Sequence, residues 1–214
     1  MRHIHELFLD AVNEERQQTA SRRALLSTGA KLAGGGALAV MATTSPAALG
    51  LRSALAQRGR ADVDILNFAL TLEHLENAFY RDGLAALGDP SGTGLLFDIA
   101  AHEAAHVETL IAVVSQLGGE PVAEAECYAF DFSSGAAFLE TARILENTGV
   151  RAYDGAIALI KSPDLQTAGA TIATVEARHA SFLNYILGFN PFPAAFDEAT
   201  PPDAILAEAA GFFC

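Results

Sequence analysis

The chain has 214 residues, 51% of them hydrophobic and 18% charged, so it is too apolar for disorder to be its main state and suits one domain or a small pair. A formal net charge of −13 argues against phosphate backbones and anionic lipid as partners, and 8% aromatics with no Trp leave no stacking platform for nucleic-acid bases. Two cysteines, Cys127 and Cys214, are too few for a disulfide scaffold or a cysteine-based zinc site and allow at most one bridge.

Residues 1–56 read as an address. Ser21-Arg22-Arg23-Ala24-Leu25-Leu26 precedes a Gly-softened apolar run, and Ala54-Leu55-Ala56 is the small-x-small pattern that a signal peptidase accepts. The paired Arg22 and Arg23, the long polar lead and the soft apolar run resemble a twin-arginine export signal, which implies a periplasmic or extracellular destination. Leu25 and Ser27 stand where that pattern usually has Phe and Lys, and an amphipathic helix with a chance arginine pair is the competing reading. Lys31 interrupts the run, which is too short for a stable membrane span. Gly34-Gly35-Gly36 follows no strand and is not a phosphate loop. Cleavage after Ala56 would leave seven Lys and Arg against 22 Asp and Glu.

Four helices are expected in the remainder. Ile65, Ala69, Leu72 and Phe79 recur at helical spacing from Asp62 to about Leu87, and Gly88-Asp89-Pro90-Ser91-Gly92 breaks the chain. A second helix spans about Leu95 to Leu117 and stops at Gly118-Gly119. A connector over 119–132 leads to Ser133 or Ser134, either of which can cap a third helix running to about Lys161. Ser162-Pro163 starts the fourth, which reaches about Leu187. A Pro- and Phe-rich tail follows, with a short helix over Pro202 to Ala209. The fold class is all-α: two helical hairpins in a four-helix bundle, with a connector long enough to cross over between helices 2 and 3.

Sliding the chain by 73 residues superposes its two halves. Glu73 falls on Glu146, Tyr80 on Tyr153, Glu103 on Glu176 and His106 on His179, with matching Leu, Ile and Ala around them. Each half carries Glu-x6-Tyr on one helix and Glu-x-x-His on the next. On a helix, i and i+3 share a face, so each Glu-x-x-His can aim at one point. These residues sit within apolar stripes. Four buried carboxylates need compensation, and two divalent cations would balance their four charges. Oxygen and imidazole donors suit Fe or Mn, and also Zn in places. Ion pairing without metal is a weak alternative, because no Lys or Arg repeats in these stripes.

Glu on one helix and Glu-x-x-His on the next, twice over, resembles the ferritin-like di-iron or di-manganese carboxylate bundle. More narrowly, the run Asn67 to Glu76 and Val175-Glu176-Ala177-Arg178-His179 resemble the exported ferritin-like group that includes desiccation-related proteins. The resemblance covers roughly residues 62–193, and it implies a bundle over 57–193 with a C-terminal tail over 194–214. It implies two Fe or Mn ions held by Glu73, Glu103, His106, Glu146, Glu176 and His179. Tyr80 and Tyr153 are then either partners of ligand carboxylates or ordinary core tyrosines. Glu76, three residues after Glu73, has Gly149 as its repeat partner. It resembles the extra carboxylate of rubrerythrin-like peroxidases, and both a fifth-ligand role and a protonated, uncoordinated role stand. His74 and His102 neighbour ligands but are rotated about 100° from them, so they read as outer-sphere or surface groups.

Three functions compete: a redox enzyme using O2 or peroxide (peroxidase, catalase-like or ferroxidase), metal binding without turnover, and a structural stress protein. Self-association is left open, although nothing points to a storage shell. An oxidising compartment would let Cys127 bridge to Cys214, pinning the tail onto the connector; two unpaired thiols are the alternative.

Overall fold

The computed structural model describes residues 46–214, with side chains described from residue 61 onward. Arg22, Arg23 and the apolar run of the expected export signal lie outside the described residues. Residues Arg52–Cys214 form one compact unit. Helix α1 spans Pro46–Leu87, α2 Leu95–Gln116, α3 Gly135–Ile157, α4 Pro163–Ile186 and α5 Pro202–Ala209, followed by a 3-10 turn over Ala210–Phe212. Among the described residues no strand forms, and the architecture is an all-α bundle.

Two helix limits differ from the sequence expectation. Helix α1 begins well before Asp62: Pro46 suits a first helical position, and no further proline interrupts the Ala- and Leu-rich stretch after it, whose helix formers outweigh Gly50 and Gly59. Helix α3 stops at Ile157, short of Lys161. The Asp62 carboxylate accepts the backbone N–H of Lys161 (2.7 Å) and of Ser162 (3.1 Å), so a distant side chain takes over the chain exactly where α3 would have continued. The Ser134 hydroxyl accepts from Ala137 N (3.1 Å) and caps α3, while Ser162 caps α4 ahead of Pro163.

The connector between α2 and α3 climbs along α1. Asn67 clasps its start, donating to the Glu120 carbonyl and accepting from Val122 N, both at 2.9 Å. Arg81 holds Glu124 at 3.0 Å, and Phe130 and Phe132 then pack around Phe79. The connector therefore travels from the Asn67 level of α1 to the Phe79 level. That return sets α3 running in the same sense as α2, with α1 and α4 opposed to both, which is a crossover rather than an up-down-up-down topology.

The C-terminal segment belongs to the same core. Ile205 and Ala209 are buried with Phe79, Phe138 and Leu145. Thr200 N donates to the Arg151 carbonyl (3.1 Å), and the Thr200 backbone lies so close to α3 that a Cβ at position 155 would meet it at 1.9 Å; only glycine fits there. Cys127 and Cys214 are joined by a disulfide with Cα atoms 5.8 Å apart. Tyr128 and Phe213 form an isolated bridge beside it. The bridge closes a separation of 87 residues, and the constraint on the unfolded chain is worth roughly 2–4 kcal/mol. Among the described residues, no helix is long and apolar enough to cross a membrane.

Candidate metal centre

Each helix of the bundle contributes to a layer of acids between two apolar clusters. One cluster gathers Phe79, Tyr80, Leu96 and Phe138, and the other Leu70, Val107, Val114 and Tyr153. Between them Glu73 (α1), Glu103 (α2), Glu146 (α3) and Glu176 (α4) are fully buried, and Glu76 and His179 nearly so. Such a layer is expensive in the absence of compensating positive charge.

The six repeated residues come together as two overlapping sets. Glu73, Glu103, His106 and Glu176 form one; Glu103, Glu146, Glu176 and His179 form the other. Within each set, one donor atom per residue lies within 4.8 Å of every other. Glu103 and Glu176 are shared. The two Glu103 oxygens divide between the sets: Oε2 is 3.3 Å from His106 Nδ1, and Oε1 is 3.1 Å from His179 Nδ1. His106 Nδ1 also lies 3.2 Å from Glu73 Oε2 and from Glu176 Oε1, and His179 Nδ1 lies 3.1 Å from Glu146 Oε2.

The two halves support each other crosswise. Tyr80 Oη, from the first half, donates to Glu146 Oε1 at 2.6 Å, and Tyr153 Oη, from the second, donates to Glu73 Oε1. Each unshared glutamate thus has one oxygen tied to a phenol and the other turned to its histidine. That arrangement restricts how the carboxylate can rotate, as an outer-sphere partner does for a ligand.

Burial raises Glu103 to about 7, against the lowering effect of its bonds to His106 and His179. Burial and the neighbouring carboxylates hold Glu76 and Glu176 well above the usual carboxylate range. Burial alone would lower His179, but its contacts with Glu103 and Glu146 outweigh that and raise it to about 9; bonds to Glu103, Glu176 and Glu73 raise His106 in the same way. The layer therefore gathers protons in place of other positive charge.

The donor set could hold metal ions. Glu176 Oε2 is buried with no hydrogen bond or ion pair, and Glu103 Oε1 and Glu176 Oε1 have only a histidine nitrogen beside them, which is costly for buried carboxylates unless something else satisfies them. All three oxygens belong to the two residues that the sets share.

Glu76 lies outside both four-residue sets. A Cβ at Gly149 would come 3.0 Å from Glu176 Oε2 and 3.1 Å from Glu76 Oε1, so the glycine leaves room for both carboxylates. The repeat marks Gly149 as the partner of Glu76 but carries no sign of this spatial role. His74 is buried, with Nε2 3.1 Å from the Val122 carbonyl on the connector. His102 reaches His179, with its Nδ1 2.9 Å from His179 Nε2. Sequence spacing could not reveal that contact, because it joins two helices and has no counterpart in the repeat.

A crystallised conserved hypothetical protein, rv2844, from Mycobacterium tuberculosis is similar to this chain at 28% identity, with a TM-score of 0.56 over 65% of this chain and 99% of that one. No curated protein matches the chain. The ferritin-like domain model matches residues 61–188, which contain all four long helices' contributions to the acid layer, and the chain belongs to the ferritin-like domain family.

Proposed function

We propose that this chain is an exported protein that binds two Fe or Mn ions and uses them in redox or stress-protective chemistry with O2 or peroxide. The observation that carries the metal assignment is the pair of three-Glu, one-His sets sharing Glu103 and Glu176. Two divalent cations would match the four charges of Glu73, Glu103, Glu146 and Glu176, with His106 and His179 each completing one set. When bound, such ions supply electrons and Lewis acidity for chemistry with oxygen or peroxide.

The chain's own residues make room for a small reactant. A cleft of about 230 Å³ is bordered by Leu72, Leu75, Glu76, Gly149 and Phe212. Its inner border includes Glu76, whose Oε1 shares the space at Gly149 with Glu176 Oε2. Glu76 is thus placed to hold a proton between the cleft and the acid layer. Tyr80 and Tyr153 keep Glu146 and Glu73 oriented, and the apolar clusters on either side exclude bulk water.

Protein loaded with Fe(II) or Mn(II) should hold about two ions per chain by elemental analysis, and oxygen release or co-substrate oxidation on adding peroxide would identify turnover. Only trace metal after loading overturns the metal assignment. Two ions without turnover favour a metal-holding role and overturn the redox one.

Export rests on Arg22, Arg23 and Ala54-Leu55-Ala56, and it agrees with a disulfide between Cys127 and Cys214. The same features favour membership of the exported group that includes desiccation-related proteins. Replacing Arg22 and Arg23 with Lys should trap the precursor in the cytoplasm. Normal appearance of the processed protein outside the cytoplasm on fractionation would remove the export assignment.

A further inference from the structure

We propose that His102 is a positioning residue for His179 and that it makes the two cation positions unequal. The inference rests on the metal assignment above. His102 lies on α2 immediately before Glu103, and a one-residue step turns it about 100° from the acid face. It is not turned to empty solvent. Its Nδ1 is 2.9 Å from His179 Nε2, across the gap to α4. The rings lie 7° from parallel with centroids 5.2 Å apart, and the short nitrogen contact joins their near edges.

Both nitrogens of His179 are therefore committed. Nδ1 faces Glu103 Oε1 and Glu146 Oε2, each at 3.1 Å, and Nε2 faces His102. An imidazole that offers Nδ1 to a cation keeps its proton on Nε2. That N–H must then be the donor to His102, and His102 Nδ1 the acceptor. His102 in turn carries its own proton on Nε2, on a side chain that is exposed. One hydrogen bond thus fixes the tautomer and the ring plane of His179, and the same contact links the buried layer to the surface.

The other half of the bundle lacks this device. The 73-residue repeat places Val175 opposite His102, and valine has no group to accept the bond. His106, the counterpart of His179, directs Nδ1 at Glu73, Glu103 and Glu176. Among the described residues, no hydrogen bond reaches its Nε2. An outer partner that orients a ligand imidazole and increases its basicity typically changes metal affinity 10–100-fold. The position built from Glu103, Glu146, Glu176 and His179 should accordingly bind more tightly than its twin.

Co(II) is a suitable probe because its visible bands report the donor set and its binding can be followed without turnover. Titration of the full chain should show two Co(II) per chain in two separable steps. His102→Ala should weaken the tighter step about 10–100-fold, change its visible bands and leave the other step unaltered. His102→Asn, whose side-chain oxygen can take the place of Nδ1 as acceptor, should restore most of that affinity. Because His102 is exposed, its truncation leaves no buried void, and unfolding of the metal-free Ala variant should match the parent. Failure of the parent chain to take up two Co(II) would defeat the metal assignment itself. Two Co(II) bound with the same affinities and spectra in parent and Ala variant would overturn the positioning role and leave the metal assignment standing. Equal weakening of both steps without rescue by Asn would overturn it too.

Discussion

Glu103→Gln or Glu176→Gln should abolish binding of both ions, whereas His106→Ala or His179→Ala should leave about one ion per chain. The difference follows from membership: Glu103 and Glu176 belong to both four-residue sets, and each histidine belongs to only one. An amide keeps the shape of the carboxylate but loses its charge, so both sets at once lose one of the two anionic ligands they share. The same substitution should stabilise the metal-free chain by about 0.5–2 kcal/mol, because it relieves a crowded acid layer that is retained for function at a cost in stability. Elemental analysis after Fe(II) or Mn(II) loading, together with denaturant unfolding of the stripped protein, gives both readouts. A Glu103→Gln variant that keeps two ions would show that the shared carboxylates are not ligands. One that binds none and is also strongly destabilised without metal would show that Glu103 mainly supports the fold.

What the sequence discloses and what it hides divide along the range of the interactions. The caps at Ser134 and Ser162 are local, and a hydroxyl placed before an apolar-periodic run is readable without the fold. The Glu and His positions repeat at a fixed offset, because a site with two similar halves draws similar donors from each hairpin. Their pairing across the bundle is less visible. Tyr80 serves Glu146 and Tyr153 serves Glu73, so each tyrosine supports the glutamate of the other half, which no spacing within a helix can show. The end of α3 depends on Asp62, about a hundred residues away in sequence. His102 and Gly149 act exactly where the repeat fails, opposite Val175 and Glu76, so their roles depend on contacts that symmetry cannot supply. The early start of α1 was hidden for another reason: a small-residue stretch that suits a peptidase also suits a helix.

Stripped of ions, the protein should lose stability as pH rises from about 4.5 to about 9, while the loaded protein should not. The sign follows from where the protons reside. Burial raises Glu103 from an ordinary 4.5 to about 7, so its contribution is fully present below the ordinary value and is lost as pH rises through about 7. His179 is raised from 6.5 to about 9 by Glu103 and Glu146 in spite of its burial, so its contribution is fully present below 6.5 and is lost as pH rises through about 9. Glu103 holds more protons folded than unfolded over the lower part of this window and His179 over the upper part, so the slope of stability against pH is negative throughout. The total change is on the order of 3 kcal/mol, since the two groups share the same contact and their effects do not add. A bound cation takes the place of these protons, which keeps the carboxylates ionised and the imidazoles neutral. Loading should then release protons, and affinity should rise over the same pH range in which the stripped protein weakens. Thermal unfolding at several pH values, with chelator and with excess Mn(II), separates the two curves. A stripped protein whose midpoint stays level or climbs between about pH 4.5 and about 9 would mean that protons do not stand in for metal charge in the acid layer.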